Sequence, residues 1–271
     1  MSSPPDGVYH GVDFSGAKRP RSKIWVSTWT GRDPATTRNG FSHLDLVETI
    51  HRSSSDGRRH FWLIDAPFNL PLEQLETHGV ELGWHATLDW LASFDDPRAW
   101  RRACRKVSRV EPRREIDRKA HTPFSPINLR MFKQSWHCMV SVVRPLAAES
   151  SVLVLPMGLS ENQASPLVDV HVWVGESCPS SILRARGWKN TGYKGTNNAN
   201  RSAREDLVAR LQGVNGFDIV DDARRTAIED PEGDALDSLI LLLAGPGFAA
   251  TDHEALLRED ERAKVEGWVY V

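Results

Sequence analysis

The chain has 271 residues, with 34 Lys plus Arg, 36 Asp plus Glu and a formal net charge of −2. Hydrophobic residues make up 40% and charged residues 26%, which excludes a disordered or fibrous chain and leaves enough apolar material for a core. No apolar run approaches the roughly 18 residues of a membrane helix, residues 1–6 lack a signal-peptide pattern, and three widely spaced cysteines (Cys104, Cys138, Cys178) argue against a disulfide framework. The expectation is a soluble, cytoplasmic protein.

Residues 8–16 and 23–30 are β-branched and aromatic-rich with Gly and Pro between them, which predicts a β-hairpin. A short helix is expected over 41–51, with Leu44, Val47 and Ile50 at helical spacing. Phe61-Trp-Leu-Ile64 is an unbroken apolar run ending at Asp65-Ala-Pro67, as suits a strand buried on both faces. Asp95-Asp-Pro97 opens a helix on which Arg98, Arg101, Arg102, Arg105 and Arg109 share one side, opposite Ala99, Ala103 and Val107. After a loop over 111–126, Leu129, Phe132, Trp136, Met139, Val140 and Val143 form an apolar helical stripe that Pro145 is expected to close.

Residues 152–155 read as a further strand, and 168–176 alternate strictly with valine at 168, 170, 172 and 174. Continued parity puts Glu176 on that same apolar face, where a carboxylate needs a partner or a metal. A Gly/Lys/Asn-rich loop over 187–200 and a polar helix over 201–211 follow. Asp230-Pro231 is expected to start, and Gly245-Pro246 to stop, a buried helix whose first turns carry Asp234 and Asp237 on one side. Carboxylates there are also favoured by the helix dipole alone.

Asp13, Asp65, Glu176, Asp234 and Asp237 thus all stand at ends of apolar elements. Together they are a candidate cluster of hard oxygen ligands for Mg²⁺ or Mn²⁺, with two ions expected, since like charges so close repel unless a dication lies between them. The near-neutral total also hides a segregation: 12 Lys/Arg against 3 Asp/Glu lie between Arg98 and Lys133, a local balance of +9 that leaves −11 on the remainder. A basic stretch of this size is suited to a polyanion.

The segments Gly11-Val-Asp-Phe-Ser-Gly-Ala17, Ile64-Asp-Ala-Pro-Phe-Asn-Leu-Pro71, Asp117-Arg-Lys-Ala-His-Thr-Pro-Phe-Ser-Pro126, Gly233-Asp-Ala-Leu-Asp237 and Glu266-Gly-Trp-Val-Tyr-Val271 occur in that order over nearly the whole chain. They resemble the bacterial and archaeal domain-of-unknown-function family 429, regarded as predicted nucleases of the ribonuclease-H-like superfamily. The resemblance implies an α/β fold with a mixed sheet flanked by helices. It also implies a metal site of Asp13, Asp65, Asp234 and Asp237, with Glu176 matching although the residues after it, Ser177-Cys-Pro179, depart from the family pattern. The expected architecture is one ribonuclease-H-like domain over 1–271 with a basic helical region inserted at 95–150.

The expected function is metal-dependent hydrolysis of nucleic-acid phosphodiesters, DNA or RNA. Lys18, Arg101, Arg105, Arg109, Arg118, Lys119, His121 and Lys194 are the candidate nucleic-acid contacts, with Trp100 or Trp136 as stacking candidates. Two other readings compete: a nucleic-acid-binding protein without catalysis, and an actin- or sugar-kinase-like phosphotransferase using Asp13-Phe-Ser-Gly-Ala-Lys18 as a phosphate loop. Gly192–Thr196 lacks P-loop spacing, and Cys104, His121, His137 and Cys138 lack the tight spacing of a zinc site.

Overall fold

In the computed structural model, which describes residues 6–161, 170–214 and 216–271, the N-terminal hairpin is present and gains a third strand. β1 (Val8–Asp13) pairs antiparallel with β2 (Trp25–Trp29), and β2 pairs antiparallel with β3 (Thr36–Arg38). On its other side β1 runs parallel to β4 (His60–Asp65). β4 is parallel to β6 (Val172–Ser177), which also pairs β5 (Val152–Leu155) and, at its end, β7 (Val269–Tyr270). The result is an α/β protein with a mixed seven-stranded sheet in the order β3-β2-β1-β4-β6-β5.

Both faces of the sheet are covered, which is why its parallel strands are predominantly apolar between their ends. Val12, Ile64 and Val174 point into one core with Leu46, Ile50, Trp84, Trp100 and Trp136; Tyr9, Leu63 and Trp173 point into the other with Leu207, Leu236 and Ile240. The second core is closed by the helices Asn198–Gln212 and Asp234–Leu241. Between β4 and β5 a series of helices separated by loops runs from Leu72 to Ala147, a longer stretch than the 95–150 region expected to be inserted. No single helix among the described residues is long and apolar enough to cross a membrane.

Several local expectations are corrected. The helix His43–Arg52, capped by Ser42, buries Leu46 and Ile50 and leaves Leu44 65% exposed. The arginine helix Pro97–Val107 buries Trp100 and Cys104, while Val107 is exposed, because tertiary packing selected the indole over the small apolar face. Leu129 precedes the helix that starts at Phe132 and is exposed. Pro145 does not close that helix: the chain passes through a π-turn at Met139–Val143 and continues over Arg144–Ala147. A widened turn accommodates a proline that has no N–H to give to the preceding turn. Gly245 and Pro246 likewise redirect the chain into another helix, Gly245–Ala250. Val168 lies outside the described residues, and Val170 packs in the second core, opposite Val172 and Val174.

At the N-terminal ends of the strands, a buried polar chain runs from Thr28 Oγ1 to His10 Nδ1 (3.0 Å), from His10 Nε2 to His60 Nδ1 (2.9 Å), and from His60 Nε2 to Asp56 (2.9 Å). Trp62 stacks on His10 at 3.7 Å between ring centroids. Burial, then the neighbouring His60, pushes His10 well below its usual 6.5. A folded pKa lowered in this way contributes stability above pH 6.5 that is lost as the pH falls toward the folded value, because the unfolded chain binds the proton first. Imidazole nitrogen shifts of His10 are expected to be those of a neutral ring at pH 6.5, where an ordinary histidine is half protonated. Titration of His10 near 6.5 would contradict this arrangement.

Candidate active site

β1 and β4 pair in register so that Asp13 stands beside Asp65 and Val12 beside Ile64. Paired residues share a face, so both aspartates point toward the helix Asp234–Leu241. That helix approaches β1 closely because residue 11 is glycine: a Cβ there would collide with the Ser238 carbonyl and with Leu241 Cβ. The Ser238 hydroxyl meets Ser27 Oγ at 2.7 Å and Thr37 Oγ1 at 3.2 Å, which fixes the helix across β1, β2 and β3. The helix begins later than expected, at Asp234 after a left-handed Gly233 (φ 75°). Asp230 accepts from the backbone N–H groups of Glu232 and Ala235 instead of opening the helix. Capping is therefore served by Asp230, which leaves the carboxylates of Asp234 and Asp237 to face the sheet ends.

These groups line one open cleft of about 780 Å³, into whose lining Glu176 and Lys194 also come. Asp13 and Asp237 are buried, and Asp65 and Asp234 half-buried. No hydrogen-bond donor among the described residues reaches the carboxylates of Asp13, Asp65 or Asp234. Burial, then Asp237, Asp234 and Asp65, pushes Asp13 well above the usual carboxylate range. Burial and Asp237 push Asp65 up to about 8, and burial with Asp230 raises Asp234 to about 6. Asp237 is better provided for: Tyr193 Oη donates to it at 2.8 Å, and Lys194 Nζ lies 2.6 Å from its other oxygen. Lys194 acts on all four carboxylates and Lys23, in the same lining, pairs with Glu232, which leaves an excess of negative charge that a divalent cation would fill. Among the described residues, no three His, Cys, Asp or Glu side chains close into a ready-made ligand set; the Lys194 ammonium stands among the acids.

Glu176 has a different setting. Its register partner is Ile64, so it lies on the opposite face of the sheet from Asp13 and Asp65. The parity holds from Val172 through Val174 to Glu176, although Val170 falls on the other side, and the partner of Glu176 is a protein cation. Arg114, 1% exposed, contacts both Glu176 oxygens, one of them at 2.7 Å, and also both oxygens of Asp117. Glu176 also accepts from the Phe68 N–H at 2.9 Å. Burial opposes the Arg114 charge, but Asp117 and Glu176 outweigh it and hold the guanidinium protonated. Asp117 in turn takes the Thr122 hydroxyl at 2.9 Å, so this network ties the cleft wall Thr122–Phe124 to the end of β6.

Of the eight basic or histidine candidates, only Lys194 lines the cleft. Lys18 is exposed just beyond Ala17 at its rim. Arg101 and Arg105 pair with Glu111, and exposed Arg109 gives its carbonyl to Arg105. Arg118 pairs with Glu115, and Lys119 with Asp260 beside a separate hollow. His121 is exposed with a left-handed backbone (φ 58°). Trp100 and Trp136 are buried, and Trp136 Nε1 donates to the Leu91 carbonyl, so neither can stack on a base. The cleft wall instead offers Phe124, with Arg130 lying 5.4 Å from its ring centroid. Gly16 packs against the backbone of Lys133 and Gln134, a close approach that accounts for a glycine in the hairpin. Sequence reading missed Arg114, Asp117, Tyr193 and Arg130; the Asp117–Pro126 motif was the signal that marked their neighbourhood.

No family model, no curated protein and no solved structure matches the chain.

Proposed function

We propose that the chain is a cytoplasmic, metal-dependent hydrolase of nucleic-acid phosphodiesters built on a ribonuclease-H-like fold. The observation that carries this reading is the meeting of Asp13, Asp65, Asp234 and Asp237 in one cleft, with Lys194 paired to Asp237. An all-oxygen donor set suits Mg²⁺ or Mn²⁺ rather than zinc. The antiparallel meander continued by parallel strands supports the ribonuclease-H-like assignment, and three unbridged cysteines fit a reducing compartment.

Asp13 and Asp65 would hold the metal from the sheet, and Asp234 and Asp237 from the helix. Bound there, one or two such ions would activate water and offset charge on the phosphodiester. The chain's own contribution is orientation. Gln134 Nε2 donates to the Asp65 carbonyl at 2.5 Å and braces the strand end. Glu176, through Arg114 and Asp117, holds the wall that carries Phe124. Arg130 and Lys194 are placed in the cleft to meet phosphate oxygens. Arg98 and Arg102, exposed on the arginine helix and in no ion pair among the described residues, extend the basic surface that attracts a polyanion.

The test is cleavage of labelled single- and double-stranded DNA and RNA with Mg²⁺ or Mn²⁺. Cleavage of at least one substrate class is expected, and its complete loss in EDTA. Salt-sensitive binding that persists in EDTA, with no cleavage of any class in Mn²⁺, would replace this reading with that of a binding protein.

A further inference from the structure

The Lys194 ammonium does more than pair with Asp237. It lies 2.6 Å from Asp237 Oδ2, and its charge also acts on Asp13, Asp65 and Asp234. Lys194 and all four aspartates line the same cleft, so the ammonium pairs with a carboxylate that a dication bound there would also use. The backbone that carries it is firmly held. Arg204, buried, donates to the Tyr193 carbonyl at 2.7 Å and to the Gly195 carbonyl at 2.9 Å. Gly195 N–H donates to the Pro231 carbonyl at 2.6 Å, and the Tyr193 hydroxyl is fixed on Asp237. The Lys194 side chain, by contrast, is half-exposed. Rotation about its own flexible stem can withdraw the ammonium into the cleft without any movement of the loop.

We propose that Lys194 is an exchangeable cation of the catalytic centre: it occupies the dication position in the metal-free protein, is displaced when Mg²⁺ or Mn²⁺ binds, and then contacts a non-bridging phosphate oxygen of the substrate. This role rests on the metal-dependent reading of the site. It assigns one residue two successive partners, Asp237 and then phosphate. Metal and substrate then favour each other: metal frees the lysine that substrate needs, and a phosphate that engages the lysine keeps it from competing with metal.

The direct test needs no catalysis. Mn²⁺ alone, without nucleic acid, is titrated calorimetrically into the wild-type chain and into Lys194→Met. The variant is expected to bind Mn²⁺ at least about tenfold more tightly, while its cleavage of nucleic acid falls at least about tenfold. Equal or weaker Mn²⁺ binding by Lys194→Met would overturn the exchange. A second measurement follows the lysine itself: acylation of Lys194 by an amine-reactive reagent, read by mass spectrometry, is expected to rise severalfold when Mn²⁺ is added. Labelling that does not change would overturn the displacement. Absence of Mn²⁺ binding by both proteins would overturn the metal reading along with this role, a result distinct from equal binding by both.

Discussion

Asp13→Asn is expected to lower metal-dependent cleavage by at least about a hundredfold and, in the same protein, to raise the melting temperature measured without metal. The first effect follows from losing a proposed metal ligand, which exceeds the tenfold to hundredfold cost of disturbing the groups that orient such ligands. The second follows from repulsion. Asp13 is held well above the usual carboxylate range by burial and then by Asp237, Asp234 and Asp65. Asp65 beside it is pushed up to about 8 from 3.8. A folded pKa above the unfolded one means that stability is fully present below the unfolded value and is lost as pH rises through the folded value. As the pH rises through about 8 Asp65 ionises, so repulsion among the acids of the metal-free wild type grows, and the asparagine variant carries less of it. A gain on the order of 2 kcal/mol corresponds to a rise of about 5 °C. Mg²⁺ should stabilise the wild type and leave the variant nearly unchanged. A variant melting below the wild type at pH 8.5 in EDTA, or one that still cleaves, would contradict the assignment of Asp13.

Arg114→Ala is expected to produce the largest loss of stability of any single substitution in the cleft. Arg114 is enclosed, and its guanidinium satisfies two carboxylates, Glu176 and Asp117. Removing it leaves both acids buried without their cation, a situation that costs about 3–5 kcal/mol and lowers the melting temperature by on the order of 10 °C. Adding Glu176→Gln and Asp117→Asn to the same protein should restore much of that loss, because the stranded charges are then gone. Glu176→Gln alone should leave Mn²⁺ affinity within about twofold of wild type. That comparison separates Glu176, bound to Arg114 on the other face of the sheet, from the four aspartates proposed to hold the metal. A tenfold loss of Mn²⁺ affinity in Glu176→Gln would return it to the ligand set.

The contrast between Glu176 and Asp65 shows what a sequence displays and what it leaves out. Asp13, Asp65, Asp234 and Asp237 were legible because each interrupts an apolar run, and the hairpin and buried strands were legible for the same reason. The side of the sheet on which Glu176 falls depends on its pairing with Ile64, and register between strands 112 residues apart leaves no local trace. Arg114 is one of 12 basic residues in its stretch, and nothing in its neighbours distinguishes a buried guanidinium from a solvated one. Trp100 and Trp136 looked available for bases because their burial is decided by which helix faces meet, as is the exposure of Val107 and Leu129. The restarted helix at Gly245-Pro246 has a similar cause: proline fits a first turn as well as it ends a last one.

The pairing of Asp13 with Asp65 across a parallel ladder works as the fixed jaw of a vise. Neighbouring strands stand about 4.8 Å apart by the geometry of their backbone hydrogen bonds, so no change of side-chain packing alone can open or close that jaw. The movable jaw is the helix bearing Asp234 and Asp237, and its seat on β1 is the absent side chain of Gly11. The gap between the jaws is thus set by a contact remote from any charge, and a single methyl group at position 11 would widen it without replacing any of the acids.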